Sequence, residues 1–229
     1  MSPRLRMTAA LVPPGCALAD IGSDHAYLPA WLAARGVCCH VIAADVGEGP
    51  LRNAAQTLAK LGLGDRVELR QSDGLDAFAP GEADCFLFAG MGGTLIVRLL
   101  ARGTALFRPG LTIVAQPMSR AAELRGWLWN HGFSIEEERA CQDDRRVYGA
   151  LRAVYDGQAR RITPGMPWTG LLPACGDPAA VEILRRTAVH LRTRAAALEA
   201  DGRDPAEAER LRAALQELES EMTRHGYGT

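Results

Sequence analysis

Five clusters of acidic, glycine and small polar residues punctuate the first 118 positions. They are Asp20-Ile21-Gly22-Ser23-Asp24-His25-Ala26, Asp45-Val46, Ser72-Asp73-Gly74, Ala89-Gly90-Met91-Gly92-Gly93 and Gln116-Pro117-Met118. The first opens on one early glycine, Gly22. A dinucleotide-binding turn of the form G-x-G-x-x-G wants a second glycine where this chain has Asp24. A carboxylate facing a pyrophosphate repels it, and more strongly as water is excluded. That argues against NAD and nucleoside triphosphates and favours a ligand with a positive charge at that point. S-adenosylmethionine carries a sulfonium and an ammonium and no phosphate. Asp45 follows Gly22 by 23 residues, near the offset of about 20 at which an acid accepts from ribose hydroxyls. Asp73, with Gly74 leaving room, is placed to accept from the exocyclic amine of adenine. The expected donor-holding set is Asp20, Gly22, Ser23, His25, Asp45, Val46, Asp73, Gly74, Ala89 and Gly90.

Each residue also has a plainer reading. Asp20 caps the following turn, Asp24 caps the following helix, and Asp45 and Asp73 end strands as turn residues. His25 and Met91 pack, and Gly90, Gly92 and Gly93 make a tight strand-to-helix turn.

These clusters must be positioned by the elements between them. Residues 17–21, 37–45, 66–71, 84–88 and 111–115 read as strands. Helices are expected over 28–35, over 50–61 with Pro50 at its start, over 94–101, and over 119–130 with Ser119 as N-cap. Phe133–Arg139 and Arg146–Tyr155 lack a helix between them and read as a hairpin. Strand–helix alternation predicts an α/β fold with a mostly parallel, doubly wound sheet, where ligands bind beyond the strand carboxyl ends.

Residues 157–176 hold Pro164, Pro167 and Pro173 and read as a linker between a catalytic domain (1–156) and a helical hairpin (177–229). Asp177-Pro178 and Asp204-Pro205 open the two helices, and Glu207 sits where a capping box places it. Leu184, Ala188, Leu191, Ala195 and Leu198 on one helix face Ala208, Leu211, Leu215, Leu218 and Met222 on the other. The seam is coiled-coil-like but too short to stand alone.

The chain has 229 residues, 48% hydrophobic and 23% charged, with a net charge of −1. That composition excludes disorder and any global field drawing the protein to nucleic acid, so any nucleic-acid contact needs a local patch. No run reaches the roughly 18 apolar residues of a spanning helix, and the start shows no secretory h-region. The six cysteines lack C-x-x-C spacing and read as free thiols in a reducing cytoplasm, with no metal site.

The segments LADIGSDHAYLP (18–29), IAADVGEGPL (42–51), SDGL (72–75), AGMGGTLI (89–96) and QPM (116–118) together resemble the bacterial tRNA (adenine-22-N1)-methyltransferase family. The resemblance runs from about Leu11 to Tyr155, and more weakly over the helical hairpin. It implies a Rossmann-like class I methyltransferase sheet with a C-terminal antiparallel helical hairpin, S-adenosylmethionine as donor and tRNA as substrate. Leu172-Pro173 stands where the family has Gly-Pro. For the reaction, Asp24 is the first candidate to stabilise the charge that methylation leaves on the ring, with the Ala89 and Gly90 carbonyls second; the alternative role for Asp24 is to hold the donor's amino group. Met91, Gln116, Pro117 and Tyr27 are expected to shape the base pocket. Arg4, Arg6, Arg185, Arg186, Arg192 and Arg194 are the candidate RNA contacts, against the plainer reading of a solvated helix face. Two rivals remain at this point: a methyltransferase acting on a different substrate, and a donor-binding module without catalysis.

Overall fold

The computed structural model describes residues 1–228. Seven strands form one sheet in the order β3-β2-β1-β4-β5-β7-β6. They are β1 (Ala17–Ile21), β2 (His40–Asp45), β3 (Glu68–Gln71), β4 (Cys85–Gly92), β5 (Thr112–Ser119), β6 (Phe133–Asp143) and β7 (Arg146–Tyr155). The first five are parallel, and the β6–β7 hairpin adds antiparallel to β5 through β7.

Period-two alternation feeds both faces of the sheet. Phe86 and Phe88 of β4 point to one face, with Ile113 of β5, under α4 (Gly93–Arg102) and α5 (Ala121–Asn130). Cys85 and Leu87 point to the other, with Val41 and Val114, under α1 (Pro3–Ala9), α2 (Tyr27–Ala34) and α3 (Glu48–Lys60). Both phenylalanines are at most 1% exposed, and burying a side chain of that kind stabilises by roughly 1.5–3 kcal/mol.

Several boundaries differ from the sequence expectation. β2 begins at His40 because the chain bends at residues 38–39. α3 begins at Glu48, which leaves Pro50 at its third residue. β4 and β5 run on through Gly92 and Ser119, and their pairing slips at Ala89/Met91 and Met91/Gly92. Such a bulge admits an unpaired residue and bends the strand, and Gly90 supplies it at φ 80°. Ser119 is therefore in a strand and caps no helix. α5 starts at Ala121 after Arg120 in the left-handed region, with no side-chain cap. α1 was not expected. It is only seven residues long, begun by Pro3 and capped by Ser2, whose hydroxyl accepts from the Leu5 amide at 3.4 Å.

The 157–176 segment is not a free linker. It contains the short helix α6 (Met166–Thr169) and is fastened at both ends. Arg125 of α5 and Glu138 of β6 form an ion pair of 2.7 Å with side chains 7% and 1% exposed. Arg125 also donates to the Pro167 carbonyl at 3.0 Å, and Glu138 accepts from the Leu171 amide at 2.6 Å. Gly170 crosses this clasp at φ 56°, and a Cβ there would lie 2.1 Å from Glu138 Oε2, so only glycine fits. On the other side, Glu217 accepts from the Gly165 amide at 2.8 Å.

The hairpin comprises α7 (Pro178–Asp201) and α8 (Pro205–Arg224). Asp204 caps α8 by accepting from the Glu207 amide at 3.0 Å, as expected. Asp177 makes no such cap and instead accepts from the Ala140 amide of β6 at 3.3 Å. Along the α8 seam Ala214 is fully buried and Leu215 only partly, a one-position shift from the expected stripe. α7 also packs on β6 and β7, so the hairpin leans on the sheet and does not project freely.

Candidate active site

β1 has β2 on one side and β4 on the other, so the chain leaves β1 in opposite directions and opens a crevice at that switch. The parallel register levels the strand ends: Ile21 lies beside Ala44 and Phe88, Asp45 beside Gln71, and Ala89 beside Gln116. The five sequence clusters therefore meet at one rim.

Gly22 adopts φ 73°, and its amide donates to the Ala44 carbonyl at 2.8 Å. A Cβ at Gly22 would lie 2.2 Å from Met91 Cε, so the Met91 methyl rests on this loop. Asp45 ties two loops together. One carboxylate oxygen accepts from Gly47 at 3.0 Å and the other from the Asp24 amide at 3.3 Å. Asp24 and Ala26 both have positive φ, at 44° and 52°. α2 begins after Ala26 with no side-chain cap, so Asp24 is not a helix cap. The Asp24 carboxylate is instead 62% exposed and lies 3.6 Å from His25 Nε2. His25 stacks on the exposed ring of Tyr27, with centroids 5.4 Å apart.

Asp20 is 4% exposed. Burial pushes its carboxyl up to about 7, and the nearby Asp45 charge adds to the shift. Ser23 is near enough to oppose it, yet the Ser23 hydroxyl is buried and completes no hydrogen bond in this geometry. A buried acid beside an unpartnered buried hydroxyl, next to a glycine held at φ 73°, fits the cationic amino-acid head of a sulfonium donor.

Two expected site residues are already partnered. The carboxylate of Asp73 pairs with Arg102 at 3.1 Å, and Arg102 also holds Asp76. Both guanidinium bonds to the Asp73 carboxylate fall on Oδ2, so Arg102 orients it and leaves Oδ1 as the acceptor an adenine amine would meet. Gln116 is fully buried and lines no base pocket directly. Its Oε1 accepts from the Gly90 amide at 3.1 Å and from Arg4 at 2.6 Å, so it fixes the bulged loop after β4. Arg4 is thereby engaged inside the fold. The Arg4–Gln116–Gly90 chain had no sequence signal, since Arg4 and Gln116 lie 112 positions apart. Val46 is exposed, and its carbonyl accepts from Gln71 at 3.1 Å.

The candidate RNA-binding arginines fall into two groups. Arg186, Arg192 and Arg194 pair with Glu182, Glu219 and Glu207. Arg6 and Arg185 are exposed and enter no ion pair among the described residues. No helix among those residues is long and apolar enough to cross a membrane, and no cluster of metal-ligating side chains occurs. All six cysteines are free.

A seven-stranded sheet in this order, with acids and glycines at the switch, defines a class I methyltransferase, and the methyltransferase-domain family matches residues 1–151. The tRNA (adenine(22)-N(1))-methyltransferase of Bacillus subtilis (strain 168) is 35% identical over 164 residues, covering 69% of each chain. Among solved structures, the B. subtilis m1A22 tRNA methyltransferase superposes with a TM-score of 0.79 at 27% identity, covering 99% of this chain and 97% of that one. Streptococcus pneumoniae Sp1610 in complex with S-adenosyl-L-methionine gives 0.81 at 31%, covering 97% and 99%. The chain belongs to the tRNA (adenine(22)-N(1))-methyltransferase family.

Proposed function

We infer that this chain transfers a methyl group from S-adenosylmethionine to N1 of adenine 22 in tRNA. The observation that carries this is the union of the strand-end crevice with a helical hairpin in a fold that matches its relatives over nearly the whole chain. A tRNA substrate supports the cytoplasmic location read from the sequence. The deciding assay incubates the protein with labelled donor and undermodified tRNA and maps the modified nucleosides. N1-methyladenosine at position 22 is the expected product. Donor uptake with no transfer to RNA would instead support a binding module.

When bound, the donor supplies an electrophilic methyl carbon on a sulfonium. The chain's contribution is to hold the adenine so that its N1 lone pair meets that carbon in line, and positioning of this kind supplies roughly 7–11 kcal/mol. N1 sits on the Watson–Crick edge, so the base must be splayed out of its stack. Asp20, Gly22 and Ser23 take the donor's amino-acid head, and Asp45 takes the ribose hydroxyls, with Val46, Gly74, Ala89 and Gly90 lining the crevice. Asp73, held through Oδ2 by Arg102, presents Oδ1 to the adenine amine. The exposed Asp24 carboxylate faces the charge that develops on the methylated ring, where a fixed anion stabilises it. Met91, on Gly22, and Tyr27, stacked on His25, form the walls against which the base rests.

The raised Asp20 pKa makes donor binding pH-dependent. Below about pH 7 the free protein carries a proton on Asp20. An ammonium partner favours the carboxylate and expels that proton. The donor Kd is therefore expected to weaken as pH falls below about 7, approaching tenfold per unit, and to level off above it. Calorimetry at pH 6 in buffers of different ionisation enthalpy should show about one proton released. Asp20→Asn should abolish the release. A Kd that is flat between pH 5.5 and 8 would remove Asp20 from the donor's head group.

A further inference from the structure

The helical hairpin and the sheet domain do not meet flush. Two adjoining clefts, of about 400 and 650 Å³, run between α7 on one side and the start of α5 with the β6–β7 hairpin on the other. They share Ser119, Arg120, Ala121, Arg125 and Ile183, so they form one groove. Its charge is one-sided. Arg120, Arg125, Arg146, Arg186 and Arg194 line it. The two carboxylates among its lining residues are already committed: Glu138 to Arg125 and Glu123 to the Thr94 hydroxyl at 2.6 Å. Arg186 and Arg194 are partly neutralised by Glu182 and Glu207. Arg120 and Arg146 are exposed and enter no ion pair among the described residues. Tyr148 and Trp168 set an aromatic ring in each cleft, the latter tilted against His190 at 6.0 Å. Arginines interleaved with aromatic rings along a groove are what a nucleic-acid strand requires, the guanidinium for phosphate and the ring for a base face.

The groove also reaches the strand end that borders the active site. Pro117 and Met118 line its first cleft, and both belong to the β5 end that pairs with the loop after β4. A Cβ at Gly93 would lie 2.4 Å from the Arg120 carbonyl, so the arginine's backbone is pressed against that loop. Arg120 thus stands where the groove meets that strand end.

We propose that this groove, with Arg120 and Arg146 as its free phosphate contacts, seats the backbone of the tRNA flanking the target base. The proposal rests on the tRNA reading above and relocates the grip. The exposed arginines on the outer faces of the hairpin are not its centre; the inner seam between the hairpin and the sheet is.

The test uses the full-length protein. Transfer of label by the wild type to undermodified tRNA is established first; if there is none, the tRNA reading itself fails, and the groove falls with it. Given transfer, tRNA affinity is measured against salt for wild type, for the Arg120→Gln/Arg146→Gln double variant, and for Arg66→Gln, an exposed residue before β3 at the opposite end of the strands. Each lost phosphate contact lowers the slope of log affinity on log salt by roughly 0.7–0.9. The double variant should therefore show a slope smaller by about 1.4–1.8, while Arg66→Gln keeps the wild-type slope. Donor Kd by calorimetry and Tm report on folding and are expected to stay at wild-type values. An unchanged slope in a folded, donor-binding double variant overturns the groove. A drop of about half that size in Arg66→Gln, the share of one charge, does so too, since it would show only a loss of general charge.

Discussion

Replacing Asp24 by asparagine is expected to lower kcat for tRNA methylation by about 10²–10³-fold while changing the donor Kd by less than about threefold. Asparagine is the informative substitution because residue 24 sits at φ 44°. Asn tolerates the left-handed region, whereas alanine would add backbone strain to the loss of charge. The amide of residue 24 still donates to Asp45, so the loop keeps its shape and only the carboxylate's charge is removed. A transition state that builds positive charge on the adenine ring loses its anion. The resting donor complex loses little if Asp20 holds the ammonium. Single-turnover rates and calorimetry separate the two quantities. Parallel losses in kcat and donor affinity would move Asp24 into the donor site. A kcat within about threefold of wild type would leave catalysis to positioning alone.

The second large effect concerns stability. Glu138→Ala is expected to destabilise the fold by about 3–5 kcal/mol, because it strands the Arg125 guanidinium in the interior without a partner. For a chain of this size roughly 2–4 °C accompanies each kcal/mol, so the Tm should fall by roughly 6–20 °C. The variant also frees the Leu171 amide, which loosens the 157–176 segment that joins sheet and hairpin. A double change, Arg125→Met with Glu138→Leu, removes both charges together. It should recover a good part of the loss, since the unpaired charge is the main penalty. Thermal unfolding of the three variants decides this. A Glu138→Ala protein melting within about 2 °C of wild type would show that water reaches Arg125 and that the clasp contributes little.

The loops that make up the candidate site were legible in the sequence. Asp20, Asp24 and Asp45 are recognisable because loops at the carboxyl ends of parallel strands follow directly from the apolar runs that precede them. The same alternation foretold the two-faced sheet and the terminal hairpin. What stayed hidden depended on partners far apart in the chain. Gln116 looked like a pocket residue, yet its side chain is spent on Gly90 and Arg4. Asp73 looked like a free acceptor, yet Arg102 claims one of its oxygens from one helix away. Residues 157–176 had the composition of a linker, but the buried Arg125–Glu138 pair binds them down.

The sequence by itself determined the local order of strands, helices and turns, and the charge of the opening loop, because periodicity, glycine and proline act over a few residues. The tertiary structure alone decided which carboxylates are free and which are already paired. It also decided where the hairpin rests on the sheet, and hence that an arginine-lined groove follows that seam to the end of β5. Long-range ion pairs and shape complementarity depend on distances through space, and a linear pattern does not encode them.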